Sequence, residues 1–344
     1  MLRLPAFSFR VPDRLDEAAR ILAGEGDRAR VVAGGTDLWP NMKRRHQTAE
    51  TVVSIMRLTE LDGICSGNGD GDGELAIGGA TRLSTVERDP LVRRRFPALA
   101  RAVASISSPP LRNMATLGGN LCVDTRCTYY NQTEEWRRSI DYCLKEAGEI
   151  CWVAPSSPKC WAHAASDSAP MLCALGARVV LASDGGEREV ELPAFYRDDG
   201  IDYLTKRRQE ILTRVLVPAA ADAGRCSSAF WKLRRRGSID FAVLSVAVAM
   251  WREDDGTIRD ARVYLGAVGS APVEVPTVAA ALHGNPPDPD LLRQAARHAR
   301  KAATPMDNTD FRAQWRGVMA ERYTEAALRE AAGLPPELQA PLHA

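Results

Sequence analysis

The stretch Arg112-Asn-Met-Ala-Thr-Leu-Gly-Gly-Asn-Leu121 decides how the rest of the chain is read. Apolar residues bracket its Gly-Gly pair, and Asn120 adds a side-chain amide. A similar turn, Val32-Ala-Gly-Gly-Thr-Asp-Leu38, lies 84 positions upstream, counted from Gly34 to Gly118. It closes the apolar run Val31-Val32-Ala33, which reads as a strand. Neither motif fits the G-x-G-x-x-G pattern of a dinucleotide fold. Glycines without Cβ still let backbone N–H groups approach and ring an anion. Two such turns can clasp one diphosphate from two sides, with Thr36 and Asn120 as added donors. Taken singly, each reads more readily as a plain tight turn, and only the combination points further.

Working outward, residues 14–24 carry apolar positions at helical spacing, with Gly24 as the stop. Residues 51–56 read as a buried strand, and 67–73 as a hairpin tip before the strand Glu74–Gly78. A helix from Thr85 to Ala104 is expected to break at Pro97. Residues 123–165 are polar, rich in aromatics and cysteines, and weakly periodic. Helix over 169–177 and a hairpin over 178–192 with Asp184-Gly-Gly at its tip follow. Residues 218–224 read as a linker. Beyond it, strands at 242–251 and 258–266 and helices at 276–283, 289–303 and 309–332 suggest a separate α+β domain.

The 344 residues are 45% hydrophobic and 26% charged, which is ample for a core without covalent staples. A net charge of +1 gives no reason to expect nucleic-acid binding. No apolar segment approaches membrane-spanning length and the N-terminus lacks the pattern of a signal peptide, so a cytoplasmic protein without membrane insertion is expected. Clustered cysteines in that compartment favour metal or redox chemistry over disulfides.

Cys127, Cys143, Cys151 and Cys160 form such a cluster, as C-x15-C-x7-C-x8-C. Structural zinc usually uses tight C-x2–4-C pairs, absent here, and the tight ferredoxin run is absent too. On spacing alone, zinc and iron–sulfur stay open. Cys65, Cys173 and Cys226 read as ordinary small residues. For His163 a hydrogen-bonding role is expected rather than a ligand role. Trp136, Trp152, Trp161, Tyr129 and Tyr130 are expected to pack around the metal and exclude water. Lys43, Arg44 and Arg45 suit phosphate contacts or a solvated basic face, and Arg234-Arg-Arg236 suits a subunit contact.

Ala33–Leu38 and Arg112–Leu121 together resemble the two flavin-binding signatures of the FAD subunit of molybdenum hydroxylases. Ser166-Asp-Ser-Ala-Pro170, Lys232 with Arg235–Ala242, and Leu265-Gly-Ala-Val-Gly-Ser-Ala-Pro272 resemble later blocks of that family in order and spacing. The resemblance spans residues 5–330. It implies an α+β chain. A two-subdomain FAD-binding domain of the vanillyl-alcohol-oxidase (PCMH) type occupies 1–220, split at about 57/58. A small C-terminal α+β domain of the CO-dehydrogenase flavoprotein type occupies 225–335. It also implies FAD held by Val32, Ala33, Gly34, Gly35, Thr36, Asp37, Leu38, Thr116, Gly118, Gly119, Asn120, Asp167 and Lys232, with Asp240 a further contact.

Residues 123–165 are an insertion absent from most of that family. They are similar to the insertion in the β subunit of 4-hydroxybenzoyl-CoA reductase, which carries a [4Fe–4S] cluster. That resemblance implies Cys127, Cys143, Cys151 and Cys160 as ligands and leaves Cys122 outside the set. No G-x-S-x-G, H-E-x-x-H or Walker loop occurs, so no catalytic residue is expected on this chain. The implied role is electron transfer within a heterotrimer containing a large molybdopterin subunit and a small subunit with [2Fe–2S] clusters, with a dimer of trimers open. A ferredoxin-type donor and reductive dehydroxylation of an aromatic CoA thioester are implied. The alternatives are an oxidative molybdenum hydroxylase acting on CO, a purine or an N-heterocycle, and a zinc-bearing structural or assembly subunit.

Overall fold

The strands Ser8–Arg10 (β1), Ala29–Val32 (β2) and Thr51–Ser54 (β3) form a parallel sheet in the order β1-β3-β2. The computed structural model describes residues 3–67, 73–219 and 226–338. Most of the expected tip at 67–73 and of the expected linker at 218–224 therefore lies outside the described residues. The helix Leu15–Glu25 lays Ala18, Ala19 and Leu22 against the sheet. It passes the expected stop at Gly24 and ends at Gly26, whose φ of 56° lets its N–H close on Leu22 O.

The second sheet is antiparallel. Its strands are Ile64–Ser66 (β4), Leu75–Gly78 (β5), Arg178–Ser183 (β6), Gly186–Glu191 (β7) and Ile211–Val217 (β8). Their order is β4-β5-β8-β6-β7, so β8, which the sequence reading missed, is central. The expected helix over 85–104 is three helices, Leu83–Arg88, Pro90–Arg95 and Pro97–Ala104. The added break is at Asp89-Pro90, where the Asp89 carboxylate accepts from Leu91 N at 2.9 Å and Val92 N at 3.0 Å.

The third sheet runs Val273–Glu274 (β12), Ile258–Gly266 (β11), Leu244–Arg252 (β10) and Cys226–Leu233 (β9), antiparallel throughout. Strand β9 was likewise missed. The apolar run in β10 is buried on both faces. Val246, Val248 and Met250 join the core under the helices Pro276–Leu282, Pro289–Ala302 and Ala313–Ala331. Ala247 and Ala249 join the core of the second sheet, against the helix Ser168–Ala174. That two-sided burial seats the third sheet on the core of the second and explains the absence of polar alternation.

Candidate functional site: a glycine-clasped cavity beside a cysteine pocket

The two glycine motifs, remote in sequence, touch. A Cβ placed on Gly34 would lie 1.7 Å from Met114 O, and one on Gly118 would lie 2.7 Å from Gly79 O. Only glycine permits either approach. Gly35 has φ +71°, and a Cβ there would strike the Trp39 indole. Neither motif is a bare turn. The first runs into the helix Leu38–Lys43. The second opens the helix Leu117–Leu121, where Thr116 Oγ1 accepts from Gly119 N at 3.1 Å.

Between them lies a cavity of about 620 Å³, within the usual range for a cofactor site. Residues 32–38, Thr116, Gly118, Gly119 and Asn120 all line it. Asn120 Oδ1 accepts from Ser166 Oγ at 2.9 Å and Ser168 Oγ at 2.6 Å, tying the second motif to the third sequence block. Asp37 pairs with Arg126 and accepts from Asn41 Nδ2 at 3.0 Å. Burial pushes its carboxyl above the usual range, against the pull of Arg126. A glycine-rich cradle of this size fits a dinucleotide cofactor.

Asp167 and Lys232 are placed differently. They do not line this cavity but form a buried pair, Lys232 Nζ to Asp167 Oδ2 at 2.7 Å. Lys232 also donates to Ser105 O at 3.1 Å and Asp240 O at 3.0 Å, so it joins the two domains. The carboxylate of Asp240 accepts from Arg235 N at 2.8 Å and Arg236 N at 3.2 Å.

The cysteine insertion has little regular structure beyond the helix Glu134–Ser139. A backbone bridge closes its base: Arg126 N donates to His163 O at 2.9 Å and His163 N to Arg126 O at 2.8 Å. Asn308 of the C-terminal domain holds it from outside, accepting from Thr128 N at 2.9 Å and donating to Trp161 O at 2.5 Å. Cys127, Cys143, Cys151 and Cys160 are buried, free, and line one small cavity with Tyr129, Tyr130, Lys145 and Trp152. Burial raises the Cys127 thiol to about 11 and the Cys160 thiol to about 12, and shifts Cys143 upward as well. Backbone N–H groups work the other way, from Tyr129 and Tyr130 on Cys127, Lys145 and Glu146 on Cys143, and Ala162 on Cys160. Such N–H groups suit sulfurs that carry negative charge. Among the described residues, however, no three or more His, Cys, Asp or Glu side chains are gathered to hold a metal ion.

Comparison with known proteins matches residues 5–220 to the FAD-binding domain in molybdopterin dehydrogenase and 228–331 to the CO dehydrogenase flavoprotein C-terminal domain. The chain belongs to the FAD-binding subunits of the molybdenum hydroxylase family. It is 27% identical to the nicotinate dehydrogenase FAD-subunit of Eubacterium barkeri, over 81% of this chain and 80% of that one. Similarity to the carbon monoxide dehydrogenase medium chain of Hydrogenophaga pseudoflava is 26% identity over 95% and 97%. A solved structure of carbon monoxide dehydrogenase from Hydrogenophaga pseudoflava superposes with a TM-score of 0.79 at 25% identity, covering 96% of this chain and 99% of that one.

In this flavin subunit Cys122 lines the glycine-clasped cavity and not the cysteine pocket. His163 is 1% exposed and its Nδ1 lies 2.9 Å from Ala164 O. A carbonyl only accepts, so Nδ1 carries the proton, and burial lowers the ring to about 4. Arg137 is fully buried, paired with Glu146, and donates to Arg44 O at 2.6 Å. Of the expected aromatics, Trp136 and Trp152 stay partly exposed while Tyr130 is buried, donating its hydroxyl to His46 O at 2.8 Å. The sequence reading missed Arg126, Lys145 and Gly200. A Cβ on Gly200 would lie 2.7 Å from Cys160 Sγ. No described helix is long and apolar enough to cross a membrane.

Proposed function

We propose that this chain carries electrons as the FAD subunit of a molybdenum-containing dehydrogenase complex. The observation that carries the reading is the cavity clasped by two touching glycine motifs. In this reading the turn at residues 33–36 receives the diphosphate, Gly118 and Gly119, whose own N–H groups are held by Gly79 O and Thr116 Oγ1, let it approach closely for want of a side chain, and the apolar residues Val32 and Leu38 pack beside it. FAD, when bound, takes up electron pairs and releases them singly. The partners in this reading are a large molybdopterin subunit and a small [2Fe–2S] subunit. Relatives named nicotinate, caffeine and carbon monoxide dehydrogenase favour an oxidative complex, with the substrate pocket on the partner.

The four-cysteine insertion favours a second reading, a [4Fe–4S] cluster held by Cys127, Cys143, Cys151 and Cys160. It would serve a reductive complex fed by a ferredoxin-type donor and acting on 4-hydroxybenzoyl-CoA or a similar thioester. A cubane gives one thiolate to each of four irons and spreads the sulfurs, whereas tetrahedral zinc needs all four about 2.3 Å from one point. Four buried thiols lining one cavity supply the ligand number of either group, so the metal itself decides between them. Aimed N–H groups supply the hydrogen bonds a charged cluster requires.

The test is the purified complex. FAD and about four irons per flavin subunit are expected, with flavin bands over a broad iron–sulfur absorbance. Cys143→Ser should lose the iron and keep FAD. Zinc in place of iron would end the cluster reading, and absence of flavin would end the main one. Assays with N-heterocycles and CO against an artificial acceptor, and with aromatic CoA thioesters against a reduced low-potential donor, separate the two directions.

A further inference from the structure

Lys145 and Tyr130 line both the flavin cavity and the cysteine pocket. Asp124, the partner of Lys145, lines the flavin cavity and not the pocket. The ion pair is 2.6 Å long with each side chain 6% exposed. Lys145 Nζ also donates to Gly200 O at 2.8 Å and to Thr125 Oγ1, and lies 4.9 Å and 5.5 Å from the ring centres of Tyr130 and Tyr203. Asp124 Oδ2 accepts from Gln47 Nε2 at 3.2 Å. The wall between the sites thus contains a desolvated ion pair whose lysine, unlike its aspartate partner, belongs to the lining of the cysteine pocket as well.

We propose that Lys145 sets the reduction potential of the group held by the four cysteines, raising it, and that Asp124 opposes this effect. The inference rests on the cluster reading above. One-electron reduction of a tetrathiolate cluster adds one negative charge and needs no proton, so a nearby cation favours the reduced form. In a dry wall that charge is weakly screened and acts strongly. An ammonium serving only to fill space would carry a desolvation cost that an apolar side chain avoids.

The test is an EPR-monitored dithionite titration of the purified complex, with iron and FAD measured on each sample. Lys145→Met should lower the cluster midpoint, Lys145→Arg should stay near wild type, and Asp124→Asn should raise it. An unchanged midpoint in Lys145→Met at full iron content overturns the proposal, as does a shift of the same sign in Lys145→Met and Asp124→Asn. If Lys145→Met loses iron, retention in Lys145→Arg together with the upward shift in Asp124→Asn supports the charge role. Loss in both lysine variants shows a packing role and overturns it. Wild-type complex without a cluster would instead refute the cluster reading itself.

Discussion

The glycine-clasped cavity, the flavin site of the proposed reading, and the cysteine pocket share a wall but are built on opposite plans. The flavin cavity stands on the ends of regular elements. Strand β2 delivers Gly34 and Gly35, the helix Leu117–Leu121 delivers Gly118 and Gly119, and backbone makes the decisive contacts. The cysteine pocket stands on a segment with one short helix, held in shape by buried side chains: its own Arg137 on Arg44 and Lys145 on Asp124 and Gly200, and Asn308 of the C-terminal domain on Trp161. A backbone-built site is rigid through its scaffold. A loop-built site is only as rigid as its anchors, so the two should fail separately.

The largest expected effect breaks the backbone-built side. Gly34→Ala drives a methyl into Met114 O, a backbone atom that cannot rotate away. A loss above about 4 kcal/mol is expected, with FAD missing from the purified chain. Denaturant midpoints and the flavin-to-protein absorbance ratio measure it. Normal flavin content would show that the two motifs do not need to touch.

Next comes an anchor of the loop-built side. Arg137→Met leaves Glu146 without its partner in a buried setting, a change of about 3 kcal/mol. The loss should stay local. Limited proteolysis is expected to cut within residues 123–165 while flavin content holds. Loss of FAD in parallel would mean that the insertion and the flavin domain form one cooperative unit.

The same contrast explains what the sequence reveals. Sites built by contiguous backbone leave contiguous motifs, so both glycine turns were legible, whereas the four thiols stood out only by residue type. So were the strands whose apolar runs are flanked by turns, such as β10 and β11. Strand β8, central in its sheet, was missed because Arg214 interrupts its apolar run and no alternation marks a face. Strand β9 opens Cys-Ser-Ser and ends in charge, so its partnership with β10 decides it rather than its composition. Asp167 and Lys232 were each expected as an FAD contact, yet they meet each other and do not line the glycine-clasped cavity. Lys145 and Gly200 carry no motif because their partners come from distant segments. A lone lysine in a polar stretch looks solvated until the fold buries it.

Gly200→Ala sharpens the boundary between the regions. Its methyl would stand 2.7 Å from Cys160 Sγ and 2.8 Å from Ala162 Cβ and N. Overpacking of about 1–3 kcal/mol is expected. Iron content should fall while FAD content holds, as measured by metal analysis against flavin absorbance. Equal loss of both would erase the distinction.

The smallest effect is a pH dependence that places one histidine in each region. His163 sits at the base of the cysteine insertion, and His46 lines the flavin cavity with its ring 4.5 Å from Tyr130. Burial lowers both to about 4, from an ordinary 6.5. Between those values the unfolded chain binds a proton that the folded ring refuses, so folding loses stability as pH falls from 6.5 toward 4. The contribution is fully present above 6.5. For His163, fully buried, the loss by pH 5 is on the order of 1–2 kcal/mol. His46 is only half-buried, and solvent screening makes its share smaller. Urea midpoints at pH 7 and pH 5 should therefore differ less in His163→Asn than in wild type, with His46→Asn between them. If the two regions unfold separately, the His163 effect belongs to the insertion's transition and the His46 effect to the flavin domain's. A single transition carrying both would instead show that the shared wall of Tyr130 and Lys145 welds the two sites together.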